Sequence, residues 1–158
     1  MDCWRYDVDR LPPRSETDID LVRVCSYEEQ LDEALEKCRG LKDLGYEVSL
    51  NVICTSYIDV DSFVKIREKL LTEDFLDFVC FADSYGALTP DYVKKIMTLF
   101  RNMNPNVLIG FHSHDNMSMS MANTITAIEN GADMVDGTYT GIGRGGGNLR
   151  LELITLYL

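Results

Sequence analysis

The chain has two histidines, and they stand two positions apart in Ile109-Gly110-Phe111-His112-Ser113-His114-Asp115-Asn116, directly after an apolar run. On a strand, residues i and i+2 point to one face roughly 7 Å apart, so His112 and His114 can both reach one metal ion. Imidazoles in an oxygen-rich surround suit several divalent cations. A core histidine followed by a surface or helix-capping one is the plainer reading of the spacing. The position argues against it, because the pair falls at the C-terminal end of an expected parallel strand, the edge where α/β folds carry their sites. Asp115 and Asn116 either cap the next helix or orient the rings by hydrogen bonds.

Two more segments converge on that edge. Asp83-Ser84-Tyr85-Gly86 follows an earlier expected strand, and Gly141-Ile142-Gly143-Arg144-Gly145-Gly146-Gly147-Asn148 follows the last one. The glycine loop matches G-x-G-x-x-G letter for letter. A dinucleotide site, however, needs that loop after the first strand of its unit and an acidic residue about 20 positions further on. The loop is therefore read either as a flexible segment able to bring a third ligand or as one whose glycines merely permit positive φ and tight turns, with Asn148 then a helix cap.

Short apolar runs alternating with helical patterns must position these residues. Strands are expected at Leu21 to Cys25, Glu47 to Ile53, Phe75 to Ala82, Val107 to Phe111 and Met134 to Thr138. Ser26-Tyr27-Glu28-Glu29 reads as a capping box opening a helix that buries Leu31, Ala34, Leu35, Cys38 and Leu41, with Gly45 at its stop. Further helices are expected from about Asp61 to Leu71, from Thr89-Pro90-Asp91 to about Met103, through Met121, Ile125 and Ile128 to Gly131, and from Leu151 to Leu158. Repeated βα units require crossover connections and give a parallel α/β sheet. Pattern alone does not separate an open doubly wound sheet from part of a (β/α)8 barrel, but five strands are too few to close a barrel.

A length of 158 residues and 46% hydrophobic content suffice for one cored domain. Residues 1–20 read as a polar lead and residues 21–158 as the domain. A net charge of -11 argues against nucleic acid or an anionic membrane as a partner. Cys3, Cys25, Cys38, Cys54 and Cys80 are scattered without C-x-x-C spacing, which points to a reducing, cytoplasmic setting. No stretch has the roughly 20 apolar residues of a membrane span, and no signal-peptide pattern opens the sequence.

From Gly110 to Glu152 the residues resemble the metal-dependent aldolase and lyase superfamily that includes 4-hydroxy-2-oxovalerate aldolase, 3-hydroxy-3-methylglutaryl-CoA lyase and isopropylmalate synthase. The similarity is carried by His112-Ser113-His114-Asp115-Asn116, by Ala122-Asn123, Ala127, Glu129, Gly131 and Asp136, and by Gly141 through Asn148. It extends more weakly back through Asp83-Ser84-Tyr85-Gly86 to Leu21. The resemblance implies a partial (β/α)8 barrel holding a divalent ion (Mn, Mg or Zn) through His112 and His114, with Asn148 as a further ligand. It also implies a 2-oxo acid substrate contacted by Ser84 and His112, and retro-aldol cleavage through a metal-stabilised enolate.

Its departures carry expectations of their own. The family's first-strand Arg-Asp motif, its third histidine and the lyase branch's catalytic cysteine have no counterpart here, which leaves Arg144 as the one catalytic candidate. The chain is expected to be the C-terminal portion of a barrel, inactive until another segment supplies the remaining strands. A Claisen-type acyltransferase resembling isopropylmalate synthase and an inactive binding or assembly module are the alternatives. An uncovered sheet edge at the strand nearest Leu21 predicts self-association, or pairing with a complementing N-terminal half-barrel. Sedimentation should therefore show species larger than a monomer, and a strictly monomeric profile would count against the half-barrel reading.

Overall fold

The computed structural model describes residues 1–158. Five strands, β1 (Leu21–Ser26), β2 (Glu47–Val52), β3 (Phe78–Asp83), β4 (Leu108–Ser113) and β5 (Met134–Asp136), alternate with α1 (Leu31–Asp43), α2 (Val60–Leu70), α3 (Pro90–Phe100) and α4 (Ser120–Glu129); α5 (Leu151–Tyr157) follows the last strand. Every strand pair is parallel, and the spatial order is the sequence order. Right-handed crossovers that always advance in one direction put the helices on one face. A doubly wound sheet reverses its order at a switch point. This one does not, so the architecture is an arc of a (β/α)8 barrel.

Alternation along the strands divides the sheet into two unlike faces. Val24, Val48, Leu50, Val52, Val79, Phe81, Ile109 and Phe111 join the buried helix residues in one apolar core. At its centre Phe63, Phe81 and Phe100 meet with ring centres 4.3 to 6.2 Å apart, within the range for favourable aromatic pairs. Truncating one such ring to alanine typically costs about 3–5 kcal/mol. On the opposite face Cys25, Asn51, Cys80, Gly110 and Met134 lie in register. Gly110 is required there by close approach, since a Cβ would come within 3.1 Å of Met134 and 3.2 Å of Cys80.

The unlike face is concave. Four inter-strand spacings of about 4.8 Å would separate β1 from β5 by about 19 Å in a flat sheet, further than one arginine side chain spans. Arg23 of β1 nonetheless grips Asp136 of β5 with two hydrogen bonds, Nη1 to Oδ2 at 2.6 Å and Nη2 to Oδ1 at 3.0 Å. The sheet has curled until its first and last strands share an ion pair.

Several local expectations differ from the structure. Phe75 and Leu76 precede β3 instead of belonging to it: Leu76 is buried in the core and Phe75 lies 5.2 Å beneath the Arg39 guanidinium. The capping box does not form, because Ser26 Oγ donates to the carbonyl of Tyr27 at 2.8 Å and Glu28–Gln30 makes a 3-10 turn ahead of α1. Asp59 does cap α2, accepting from Ser62 N at 2.8 Å. The outer edge of β1 is not bare either. Cys25 N donates to Met1 O at 2.7 Å and Cys3 N to Cys25 O at 3.0 Å, so Met1 to Cys3 run along it in parallel. The rest of the first twenty residues pack beside them, with Arg14 N donating to Leu44 O at 2.9 Å and Tyr46 Oη to Pro12 O at 2.6 Å. No helix is long and apolar enough to cross a membrane.

Burial governs the cysteine chemistry. All five thiols are free, and Cys3, Cys38 and Cys80 are buried. Burial pushes the Cys38 and Cys80 thiols from 9.0 up to about 12, because the thiolate is disfavoured in apolar surroundings. A raised folded-state value gives a contribution that is complete below about pH 9 and lost as pH climbs toward 12. At mildly alkaline pH a thiol reagent should label Cys54 first and spare Cys38 and Cys80 until denaturant is added. Labelling of Cys38 or Cys80 in the native chain at the same rate as Cys54 would contradict this burial.

Candidate functional site

β4 runs to Ser113, so His112 is a strand residue on the concave face, in register with Ala82 on one side and Asp136 on the other. His114 follows immediately and bridges to Asn148 of the glycine loop. The two imidazoles stand 5.1 Å apart, centre to centre, with their planes inclined at 72°. His112 Nδ1 faces Asp136 Oδ2 at 3.4 Å. A carboxylate at Nδ1 favours the tautomer that keeps the proton there and leaves the Nε2 lone pair free.

Electrostatics separate the members of this cluster. Burial alone would raise the Asp136 carboxyl, but hydrogen bonds from His112 and Arg23 outweigh it and hold the group at about 2. The carboxylate is therefore charged throughout the neutral range. Burial, followed by the neighbouring His112, lowers His114 below the ordinary histidine value, against the opposing pull of the Arg144 and Gly147 backbone carbonyls, which favours the neutral ring with one nitrogen free of a proton. Its Nδ1 is buried without a hydrogen-bond partner, and so is Asn148 Oδ1. Buried polar atoms are normally paired. Two unpartnered acceptor-type atoms on bridged residues make a donor set that fits a divalent cation. No three His, Cys, Asp or Glu side chains converge as a metal cage, so the set this chain offers is two imidazoles and a carboxamide oxygen.

The glycine loop is fastened to the histidine segment by its backbone. Asp115 N donates to Gly147 O at 2.9 Å, Leu149 N to Ser113 O at 3.1 Å and Asn148 N to Gly141 O at 2.9 Å. Asn148 Nδ2 donates to Ile142 O at 3.0 Å, which aims the amide. Gly147 takes φ +96°, and a Cβ there would collide with the carbonyl of Gly141, so glycine is required for the turn. Gly146 N is committed to Asn116 Oδ1 at 3.2 Å and Gly147 N to Arg144 O at 3.0 Å. Two of the loop's amides are thus already engaged within the protein.

Of the remaining expected residues, Ser84 sits at the neighbouring strand end. Its Oγ accepts from Cys54 N at 2.9 Å, and the adjacent Asp83 backbone carbonyl accepts from His114 N at 3.3 Å. The Asp83 carboxylate is structural, capturing Ala87 N at 3.0 Å and Leu88 N at 2.9 Å to fix the turn into α3. Asp115 accepts from Ser120 N at 2.9 Å and steadies the entry to α4. Arg144 is exposed on the loop and meets the histidine cluster through its backbone, which faces the His114 ring. Arg23 escaped the sequence reading, and Asp136 entered it only as part of the family pattern, without a role. A lone charge at the middle of the apolar strand Leu21-Val22-Arg23-Val24-Cys25 was the available signal.

An unreversed parallel βα arc with its polar cluster at the C-terminal edge places the chain in the (β/α)8-barrel class. The HMGL-like family profile matches residues 5–158, and the chain belongs to that family. It is 35% identical over 138 residues to a 4-hydroxy-2-oxovalerate aldolase of Bacillus thuringiensis, covering 87% of this chain and 40% of that protein. An oxaloacetate decarboxylase of Mycobacterium tuberculosis is 28% identical over 140 residues, covering 89% of this chain and 41% of that protein. The HMG-CoA lyase structure from Bacillus subtilis superposes with a TM-score of 0.76 over 94% of this chain and 60% of its own, at 18% identity, and shows the fold alone. The chain thus spans about two fifths of the curated relatives it matches.

Removing the carboxylate tests the closure of the arc. Asp136→Asn should lower stability to urea by about 1.5–3 kcal/mol, the usual worth of charge-assisted hydrogen bonds. A double-mutant cycle with Arg23→Met should show strong coupling, whereas additive losses would mean that the pair does not hold β1 to β5.

Proposed function

We propose that this chain provides the ligand-bearing part of an aldolase-type lyase barrel that cleaves or forms a carbon–carbon bond of a 2-oxo acid such as a 4-hydroxy-2-oxo acid. The observation that carries the reading is the juxtaposition of His112 and His114 with two unpartnered buried acceptors, His114 Nδ1 and Asn148 Oδ1. Family membership supports it, and so do relatives whose names describe 2-oxo acid chemistry.

In this reading His112, His114 and Asn148 hold a divalent cation, Mn, Mg or Zn. When bound, the ion supplies Lewis acidity that polarises a 2-oxo carbonyl and stabilises enolate charge. Asp136 fixes the orientation of His112 and, in the neutral ring, favours the tautomer with the proton on Nδ1. Burial lowers His114 below the ordinary histidine value, which reduces competition from a second proton for the ring nitrogen that would bind the ion. Ser84 offers its hydroxyl to the substrate from the neighbouring strand end, positioned by the Cys54 amide. Arg144, on the exposed loop, is the remaining candidate for a positive charge near the substrate. A complementing N-terminal half-barrel supplies the other strands, a further oxygen ligand and the base. This assignment accords with the share of the relatives' length that the chain spans.

Titration of the chain with Mn(II), followed by electron paramagnetic resonance, should show saturable binding. His112→Ala combined with His114→Ala should abolish it, and Asn148→Ala should weaken it about tenfold or more. Unchanged affinity in the double variant, with the fold intact by circular dichroism, would overturn the assignment.

A further inference from the structure

The loops after β1, β2 and β3 close around a second cavity at the same edge, about 260 Å³ in volume. Its walls include Tyr27, Glu28, Glu29, Cys54, Tyr57 and Tyr85, and no lysine, arginine or histidine lines it. Tyr57 and Tyr85 meet edge to face with ring centres 5.1 Å apart, yet they are 77% and 49% exposed. Two large rings left this open, and rigidly paired, suggest a surface made to receive something. Tyr27 is backed by Trp4, stacked on it at 5.0 Å, so one ring face is covered and the ring is held in place.

The charged side chains that line this cavity, Glu28 and Glu29, carry one sign. Glu28 and Glu29 take part in none of the chain's salt bridges. Ring faces attract cations through their quadrupoles, and carboxylates add full negative charge. A free anion is repelled from this cavity by the two carboxylates. The frame is fixed to the neighbouring site: Cys54 adopts φ 57° and its N–H bonds Ser84 Oγ at 2.9 Å, one residue from Tyr85. We infer that this cavity is a binding site for an alkylammonium group, caged by Tyr27, Tyr57 and Tyr85 with Glu28 and Glu29 as counter-charges.

The cation has two sources with the same chemistry, the ammonium-bearing end of a 2-oxo acid substrate or a separate amine ligand. The first rests on the proposed lyase reading. The cavity's affinity for ammonium does not, because no residue of the histidine cluster contributes to it.

Choline and its uncharged isostere 3,3-dimethylbutan-1-ol, titrated into the metal-free full chain at constant ionic strength and followed by NMR, separate charge recognition from apolar contact. Choline should bind saturably and more tightly than the isostere. Tyr57→Ala, Tyr85→Ala and Glu28→Gln should each weaken it about three- to tenfold, while Tyr85→Phe stays near wild type. The pair His112→Ala, His114→Ala should leave choline affinity unchanged, which keeps failure here distinct from failure of the metal assignment. Equal affinity for the isostere, or choline affinity untouched by both tyrosine truncations, would overturn the inference. Tighter binding of a 2-oxo acid with a terminal ammonium than of pyruvate, lost in Tyr85→Ala, assigns the cation to the substrate; choline binding without that advantage assigns it to a separate amine.

Discussion

The curvature of the sheet is held by one ion pair, Arg23 with Asp136, which joins the first and last strands across the concave face. Parallel strands twist spontaneously, but twist alone does not decide how far five of them close. A bidentate contact joins β1 to β5 in the closed arc, and Arg23 lies over Cys80 and Met134 on the concave face. Asp136 serves two partners at once, since the carboxylate that accepts from Arg23 also faces His112. Sheet curvature and imidazole orientation are therefore set by the same two oxygens. Protonating them in acid would release both together, below the ordinary aspartate value and toward about pH 2.

Around that pair the chain separates structural from chemical tasks. The helix-facing side is apolar and aromatic. The C-terminal edge is built from short segments that hold one another through backbone hydrogen bonds: the β3 end to His114, the histidine segment to the glycine loop, and the loop to Asn116. This arrangement lets loop residues stand at fixed positions without regular secondary structure. It also explains the density of glycines between Gly141 and Gly147. The loop must turn back beneath its own carbonyls to bring Asn148 beside His114, and side chains would obstruct it.

Much of this was legible in the sequence, and what was not has a physical reason. Apolar periodicity located all five strands and the helices between them, because burial against a helix layer imposes period two on strands and 3.6 on helices. His112 and His114 came from residue type and spacing and Asn148 from the family resemblance; the structure sets the two rings 5.1 Å apart and bridges His114 to Asn148. The sheet order was ambiguous because the same local pattern feeds a reversed or an unreversed sheet. Arg23 with Asp136 was invisible because their 113-residue separation leaves no periodic trace. Phe75, Leu76 and the unformed capping box misled for a different reason: local preferences gave way to tertiary packing and to a hydroxyl that found a nearer carbonyl. Met1 to Cys3 carry too few residues for alternation to register, yet their backbone lies along β1.

That edge contact has an optical consequence. The chain has one tryptophan, and Trp4 directly follows the residues paired with β1 while its indole lies on Tyr27. Any strand that took the place of Met1 to Cys3 would carry the indole off the phenol ring and into water. Its emission would shift with that change of surroundings, so the molecule contains its own gauge of whether the edge of its sheet is occupied by itself or by another chain.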